Sequence, residues 1–398
     1  MNRLKRNNYI LPLFLYLILF LLNSFIFWIT LTISLFIIRK CYRERIFTFW
    51  CYISIIFISL YNSTKIPEND LEWYVDFYLM ANNMSFSNYL SQLTGGKEQL
   101  YQVLVWIIHL IGGNNFHIYS FIISLISYIF LLKGLLLLFK TLNNSYYEKI
   151  TIIFILLFFP YLFANSIHIV RQFLATSIIF YVISVYACTN KNYLLLAIMD
   201  MFIHTSAVFF IPFLLINKFK NPIGKNNLYL YLLIIFGLLS LSIIANYILP
   251  MVAGLPLEYL MKKAANGTTF ETSLPLSQLL FSILITILPI ICTYKINISL
   301  KKISAVNFFI TISFFLLFFI IINPEQTELQ LRYNFCFWQL FPFLAAISLN
   351  GLKISPLILV LTMVLLFSFW NCYNLFLSEW DYTCKYTYFF YPAFLYLI

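Results

Sequence analysis

Charged side chains are scarce in this chain: lysine, arginine, aspartate and glutamate make up 10% of its 398 residues, while 62% are hydrophobic and 20% aromatic. No water-soluble domain buries that much apolar surface, and apolar runs of about 20 residues, enough to cross a bilayer as a helix, recur along the chain. Glycine is rare, with ten residues, and no P-loop, dinucleotide glycine motif, G-x-S-x-G elbow or H-E-x-x-H helix occurs. Nucleotide-driven and protease chemistries therefore have no sequence support. The seven cysteines include no C-x-x-C pair and share no spacing with histidine, so neither a metal site nor a disulfide framework is expected, and no cofactor.

What remains reads as one transmembrane domain over 1–398, an all-α polytopic integral membrane protein with about 10–12 transmembrane helices, some short or broken, and loops at the outer face. Its first partner is the lipid bilayer. The net charge of +11 does not point to nucleic acid, because the basic residues sit in short clusters beside apolar segments. The N-terminal MNRLKRNNYILPLFLYLILF resembles a signal peptide but has no Ala-x-Ala-like cleavage site, so it is read as a retained helix, with 9–38 as one long tilted span.

Loop charges set the orientation. Arg39, Lys40, Arg43 and Arg45 against Glu44, then Lys218, Lys220 and Lys225, then Lys295, Lys301 and Lys302, and finally Lys353, mark cytoplasmic connections. The connection 63–98 sets Lys65 and Lys97 against Glu68, Asp70, Glu72, Asp76 and Glu98, and with the neutral 251–275 and acidic 323–332 it is expected outside. Segments near 228–250, 276–294, 304–322, 333–349 and 356–377 then alternate as crossings. The run 100–111 is only about 18 Å long as a helix, which suits a re-entrant or interfacial position. The run 193–216 carries Asp200 and His204 at its centre and basic residues at both ends, which fits two half-helices entering and leaving on one side.

An ionisable group at bilayer depth costs about 2.5–3.5 kcal/mol on insertion scales, so Arg171, Asp200 and His204 are candidates for function. Arg171 is either a snorkelling anchor or a binding group, with His168 one turn before it and Gln172 beside it. His204 either satisfies a neighbouring carbonyl or does chemistry, and Asp200, one turn earlier, is placed to orient it. Asp70, Trp73, Tyr74, Asp76 and Tyr78 mix carboxylates with aromatic rings, as a sugar-binding surface does and as an interfacial aromatic belt also does. In the last outer loop, Glu325, Glu328 and Arg332 precede an apolar run, and a second outer arginine suits either an anchor or a bidentate grip on phosphate.

These features, in this order, resemble the Wzy/EpsG-type polysaccharide polymerases, the O-antigen and exopolysaccharide polymerase superfamily. The likeness rests on D-x-x-x-Y (Asp70, Tyr74), the acidic Glu98, Arg171-Gln172 followed by Ala175, F-x-H-x-S-A (Phe202, His204, Ser206, Ala207) and a late Arg-Tyr (Arg332, Tyr333), over about residues 63–340. Asn69 stands where that family usually carries a glycine before the aspartate.

The resemblance implies a GT-C-like glycosyltransferase architecture in a bacterial inner membrane. The reaction it implies, at the periplasmic or exterior face, moves a growing glycan from polyprenyl (undecaprenyl) diphosphate onto the terminal sugar of an incoming lipid-linked repeat unit, in O-antigen, lipopolysaccharide or exopolysaccharide biosynthesis. Polyprenyl-diphosphate-linked oligosaccharides are then the substrates, and a chain-length regulator protein is a candidate partner. A diphosphate leaving group needs cations, for which Arg171 and Arg332 are the candidates; the acceptor hydroxyl needs a base, for which His204 or Asp70 would serve. His168, Gln172, Asp200, Glu98, Tyr74 and Tyr333 are expected to support them. An O-antigen ligase, an O-acetyltransferase or another lipid-sugar transferase, and a lipid-linked oligosaccharide flippase, are the competing readings; a flippase would be expected to show repeated halves, and none is detectable.

Overall fold

The computed structural model describes residues 18–92, 98–220, 274–293, 300–322, 327–378, 381–385, 387 and 392–397. Among these residues every regular element is helical, and the only β pairing is an isolated antiparallel bridge between Lys65 and Tyr382. The chain is an all-α polytopic membrane protein. Six described helices are long and apolar enough to cross a bilayer, and a bent pair supplies a seventh. The crossing expected near 228–250 lies outside the described residues, as do nearly all of the loop near 251–275 and residues 323–326 of the last loop.

The long helix expected over 9–38 is interrupted. A helical stretch over 18–22 stops at Asn23, whose extended backbone and side-chain oxygen, accepting the Ile26 N–H, start α1 (Ser24–Ile37) afresh. Asparagine offers the backbone this local alternative and so favours a cap over a helix interior. After the basic turn at 39–42 the chain returns as α2 (Arg43–Ser63), tied to α1 by Trp28 Nε1 donating to Ser54 and Trp50 Nε1 donating to Thr32, both at 2.8 Å.

Three helices then cluster at the far end of α2: α3 (Asp70–Met80), α4 (Phe86–Gln92) and α5 (Gln99–Gly112). The helix α6 (Phe116–Leu142) runs back the full length of the bundle. Tyr101 at the start of α5 bonds Tyr119, and Gly112 at its end lies against Ile118, so both ends of α5 meet the first turn of α6. At about 21 Å, α5 is shorter than the roughly 30 Å apolar core of a bilayer.

The helix α7 (Tyr146–Phe158) opens with a Ser145/Glu148 capping box and closes at Phe159, which Pro160 forces out of the helical region. The helix α8 (Pro160–His168) continues at a 47° bend. A second break at Ile169 separates it from α9 (Val170–Thr189), which packs along α6 more extensively than any other helix pair among the described residues. Gly134 makes that approach possible: a Cβ there would stand 2.9 Å from Ser184 Oγ and 3.2 Å from the Phe343 ring.

The segment 193–216 is broken as its charges suggested. The short helix α10 (Leu194–Asp200) rises to a turn at 201–204, and a 3-10 segment (Thr205–Phe210) with α11 (Ile211–Leu215) descends again. Asn192 donates to the Leu214 carbonyl at 3.0 Å, so entry and exit are neighbours. The remaining helices are α12 (Leu276–Thr293), α13 (Leu300–Ile322), α14 (Thr327–Leu352) and α15 (Pro356–Cys372).

Lipid tails are as apolar as leucine, so polar contacts and close packing, not water exclusion, hold such helices together. Asn62 of α2 donates to Ser124 of α6 and Ser166 of α8 at 2.9 and 2.8 Å, and Gln339 of α14 donates to the Phe173 carbonyl of α9 at 2.9 Å. At the end opposite α3–α5, Arg39, Lys40, Arg43, Lys149, Lys220 and Lys353 gather. There Lys149 pairs with Glu44 at 2.9 Å, and Lys220 caps α9 through the Tyr186 carbonyl and Asn190, also at 2.9 Å.

Candidate functional site

Arg171 lies in the first turn of α9, at the end of the bundle away from that basic rim. Its Nε donates to the Tyr74 hydroxyl at 3.0 Å, and its guanidinium forms a salt bridge to Glu98. Three rings frame the same cation, with Cζ 4.9 Å from the centre of Trp73, 5.0 Å from Tyr74 and 6.0 Å from Tyr101. Partly desolvated cation–π contacts of this kind are each worth about 1–2 kcal/mol. Burial raises the Tyr74 phenol despite the neighbouring cation, so its oxygen receives the guanidinium as a neutral acceptor. The Arg171 side chain is 27% exposed, so this is a braced charge with an open edge.

Glu98 is placed by backbone geometry. It sits in the left-handed region (φ 53, ψ 37), an unusual place for glutamate, immediately before α5. The Phe202 carbonyl holds it there by accepting the Leu100 N–H at 3.1 Å, a donor that the start of α5 would otherwise leave bare, and by sharing at 3.4 Å the Tyr101 N–H that also reaches the Glu98 carbonyl at 3.1 Å. That clamp brings Glu98 Oε1 to 3.8 Å from His204 Nε2.

The His204 ring is oriented by its own segment. Nδ1 accepts the Ser206 backbone N–H at 3.2 Å and lies 2.8 Å from the Ser206 hydroxyl. An N–H pointing at Nδ1 requires a lone pair there, so the neutral ring carries its proton on Nε2, facing Glu98. Asp200, expected to orient His204, meets it only through the backbone, its carbonyl accepting the His204 N–H at 3.1 Å. Asp200 is 1% exposed, and its carboxylate accepts no hydrogen bond from the described residues.

His168 and Arg171 do not share a helical face as their spacing suggested, because the helix breaks at Ile169 (φ −109, ψ 55) between them. His168 instead lies in the fields of Lys65 and Arg332. Gln172 joins α9 to α14 by donating to the Arg332 carbonyl and, at 3.3 Å, to Cys336 Sγ. Arg332 thus stands beside the same helix start as Arg171, while Tyr333 turns away, packing on Phe209 and Phe319 at ring distances of 5.0 and 4.7 Å. Asp70 is exposed, one turn before Tyr74 in α3. Trp73 stacks on Phe77 at 5.6 Å and 6°.

Lys65 escaped sequence reasoning. It is 1% exposed and follows α2 directly, and burial lowers its ammonium from the usual lysine range to about 7 against the opposing pull of Glu68 and Asp70. The bridge to Tyr382 and the bonds from Ile66 N–H to Asp381 and from Thr383 N–H to Thr64, at 2.9 and 2.8 Å, lay the 381–385 segment across it. Its only sequence signal was a lysine placed directly after an apolar span. Tyr101 was missed as well, since nothing in the sequence shows that α5 folds back over Arg171.

Residues 45–390 match the EpsG family model. No curated protein and no solved structure matches the chain. With most of its length covered by that match, the chain belongs to the EpsG family.

Proposed function

Taking that membership as the premise, we propose that the chain is a polysaccharide polymerase that transfers a growing glycan from a polyprenyl diphosphate to the terminal sugar of an incoming lipid-linked repeat unit. The observation that carries this reading is the braced, open-edged Arg171 beside the Glu98–His204 pair, a cation for a leaving diphosphate next to groups that handle a proton. If the basic rim of Arg39–Arg45, Lys149 and Lys220 faces the cytoplasm, as such rims do, the site faces the periplasm or exterior.

In the reaction the sugar C1–O bond to the diphosphate breaks with its electron pair going to the leaving oxygen. The acceptor hydroxyl oxygen bonds to C1, and its proton passes to the Glu98–His204 pair. Arg171, supported by Arg332, stabilises the charge that develops on the diphosphate, the kind of term that usually dominates such catalysis. Arg has five N–H donors; Nε and one on a terminal nitrogen are used here, which leaves three for phosphate oxygens. Tyr74 holds the Arg171 guanidinium and Gln172 ties the Arg332 backbone to α9, while Asp70 and Trp73 line the approach of the acceptor.

The test is the glycan length ladder of cells that depend on this chain. With Arg171→Ala present at normal abundance, single repeat units should accumulate and the ladder should vanish. An unchanged ladder would refute the role of Arg171. Glycan joined to a lipid core as single units, with no polymer formed even by the unaltered chain, would identify a ligase instead.

A further inference from the structure

We propose that Glu98 is a catalytic residue that the substrate itself sets free: the carboxylate occupies Arg171 in the empty site, the incoming diphosphate replaces it there, and the displaced carboxylate takes the proton of the acceptor hydroxyl. This rests on the polymerase reading above and assigns the proton transfer within it.

Three observations converge on it. Glu98 divides its two oxygens, Oε2 on Arg171 and Oε1 towards His204, so losing one partner leaves it anchored by the other. The site is open to a ligand, since the side chains of Arg171, Glu98 and His204 are 27%, 13% and 10% exposed. His204, the obvious base, has its Nδ1 lone pair engaged by the Ser206 N–H and its Nε2 proton turned to Glu98, so the neutral ring offers no free lone pair to a substrate hydroxyl.

Electrostatics supplies the direction. A diphosphate carries more charge than a carboxylate and binds a guanidinium bidentately, so it wins the competition for Arg171. A carboxylate released from a guanidinium is the stronger base, so binding of the donor arms the group that deprotonates the acceptor. The left-handed backbone at Glu98, pinned by the Phe202 carbonyl, keeps the displaced carboxylate beside His204, whose Nε2 proton stabilises it without consuming it. The balance is complete: C1–O(phosphate) breaks towards the phosphate, O–C1 forms, and the hydroxyl proton ends on Glu98.

The test uses full-length protein in phosphatidylcholine nanodiscs, with radiolabelled farnesyl diphosphate as the probe and thermal melting to establish folding. Glu98→Gln removes the competing charge at nearly constant shape and should bind the probe roughly tenfold tighter, the weight of one charge-assisted hydrogen bond. The same variant should abolish the glycan ladder in cells. In the Arg171→Ala background, Glu98→Gln should give no tightening. Weaker or unchanged binding by folded Glu98→Gln, or a normal ladder with it, would overturn the proposal, as would probe binding that survives Arg171→Ala.

A second measurement needs no variant. Labelling of Glu98 by dicyclohexylcarbodiimide, read by mass spectrometry, should rise several-fold on adding farnesyl diphosphate, and a flat or falling response counts against displacement. Failure of the polymerase reading is seen separately, as an unchanged ladder in cells lacking the chain, while the binding and labelling measurements still report on Glu98 and Arg171.

Discussion

Glu98 and Arg171, 73 residues apart in the chain, form a salt bridge at the end of the bundle opposite its basic rim. Each charge is mostly buried and would be costly without the other. The glutamate neutralises part of the guanidinium, the three rings and the Tyr74 hydroxyl accommodate the rest, and one edge stays open. Breaking one partner of such a pair leaves the other uncompensated, an effect of about 3–5 kcal/mol for buried pairs and less for this half-open one. The guanidinium is therefore braced on one side and solvent-accessible on the other.

Arg171→Lys should fail almost as fully as Arg171→Ala. Lysine keeps the charge but gives up the planar fork that contacts Tyr74 and Glu98 at once, together with the stacking on Trp73. Polymer formation should fall by about two orders of magnitude, the size typical of losing one preorganised donor to a developing oxyanion. Measured as repeat units incorporated per chain copy, a lysine variant with half the normal output would show that charge alone suffices.

Asn69→Gly should stabilise the protein. Asn69 holds φ 52 and ψ −124, a combination that even asparagine seldom adopts and glycine enters freely. The strain at such a position is about 1–3 kcal/mol, of which glycine's greater freedom in the unfolded chain cancels part. The melting temperature in detergent should rise by a few degrees with the glycan ladder intact; a fall would mean that the asparagine side chain contributes more than its backbone loses.

That position shows how far the sequence was legible. A missing glycine before Asp70 was visible as a departure from the family pattern, but only coordinates show that the backbone still takes a glycine-like conformation there. The membrane class, the short α5 and the re-entrant 193–216 segment were readable because length, hydropathy and terminal charge are local properties. The break between His168 and Arg171 was not, because an i, i+3 spacing predicts a shared face only where the helix is continuous, and nothing at Ile169 announces a stop. Nor was the placement of Glu98, which depends on the Phe202 carbonyl, a contact across more than 100 residues of chain.

Gly134→Val should loosen the central helix pair. The Cβ of any side chain there meets Ser184 Oγ at 2.9 Å and the Phe343 ring at 3.2 Å, so α6, α9 and α14 would all have to shift. Overpacking of this kind is destabilising by about 1–3 kcal/mol, and a branched side chain belongs at the upper end. Because α9 carries Arg171 and α14 carries Arg332, polymer output should fall along with the melting temperature. Lowered stability with unchanged chain-length distribution would indicate that the two arginines do not depend on this crossing.

Lys65 gives stability a dependence on pH. Burial lowers its ammonium from the ordinary lysine value of 10.5 to about 7 in the folded protein, with Glu68 and Asp70 pulling the other way. Between those two values the unfolded chain binds a proton that the folded protein does not, so stability rises with pH across this window and the burden of burying the charge is largest below pH 7. Lys65→Met should therefore raise the melting temperature by several degrees at pH 6, and the gain should shrink towards zero by about pH 10. Equal gains at both values would trace the stabilisation to the shape of the methionine and not to the charge it removes.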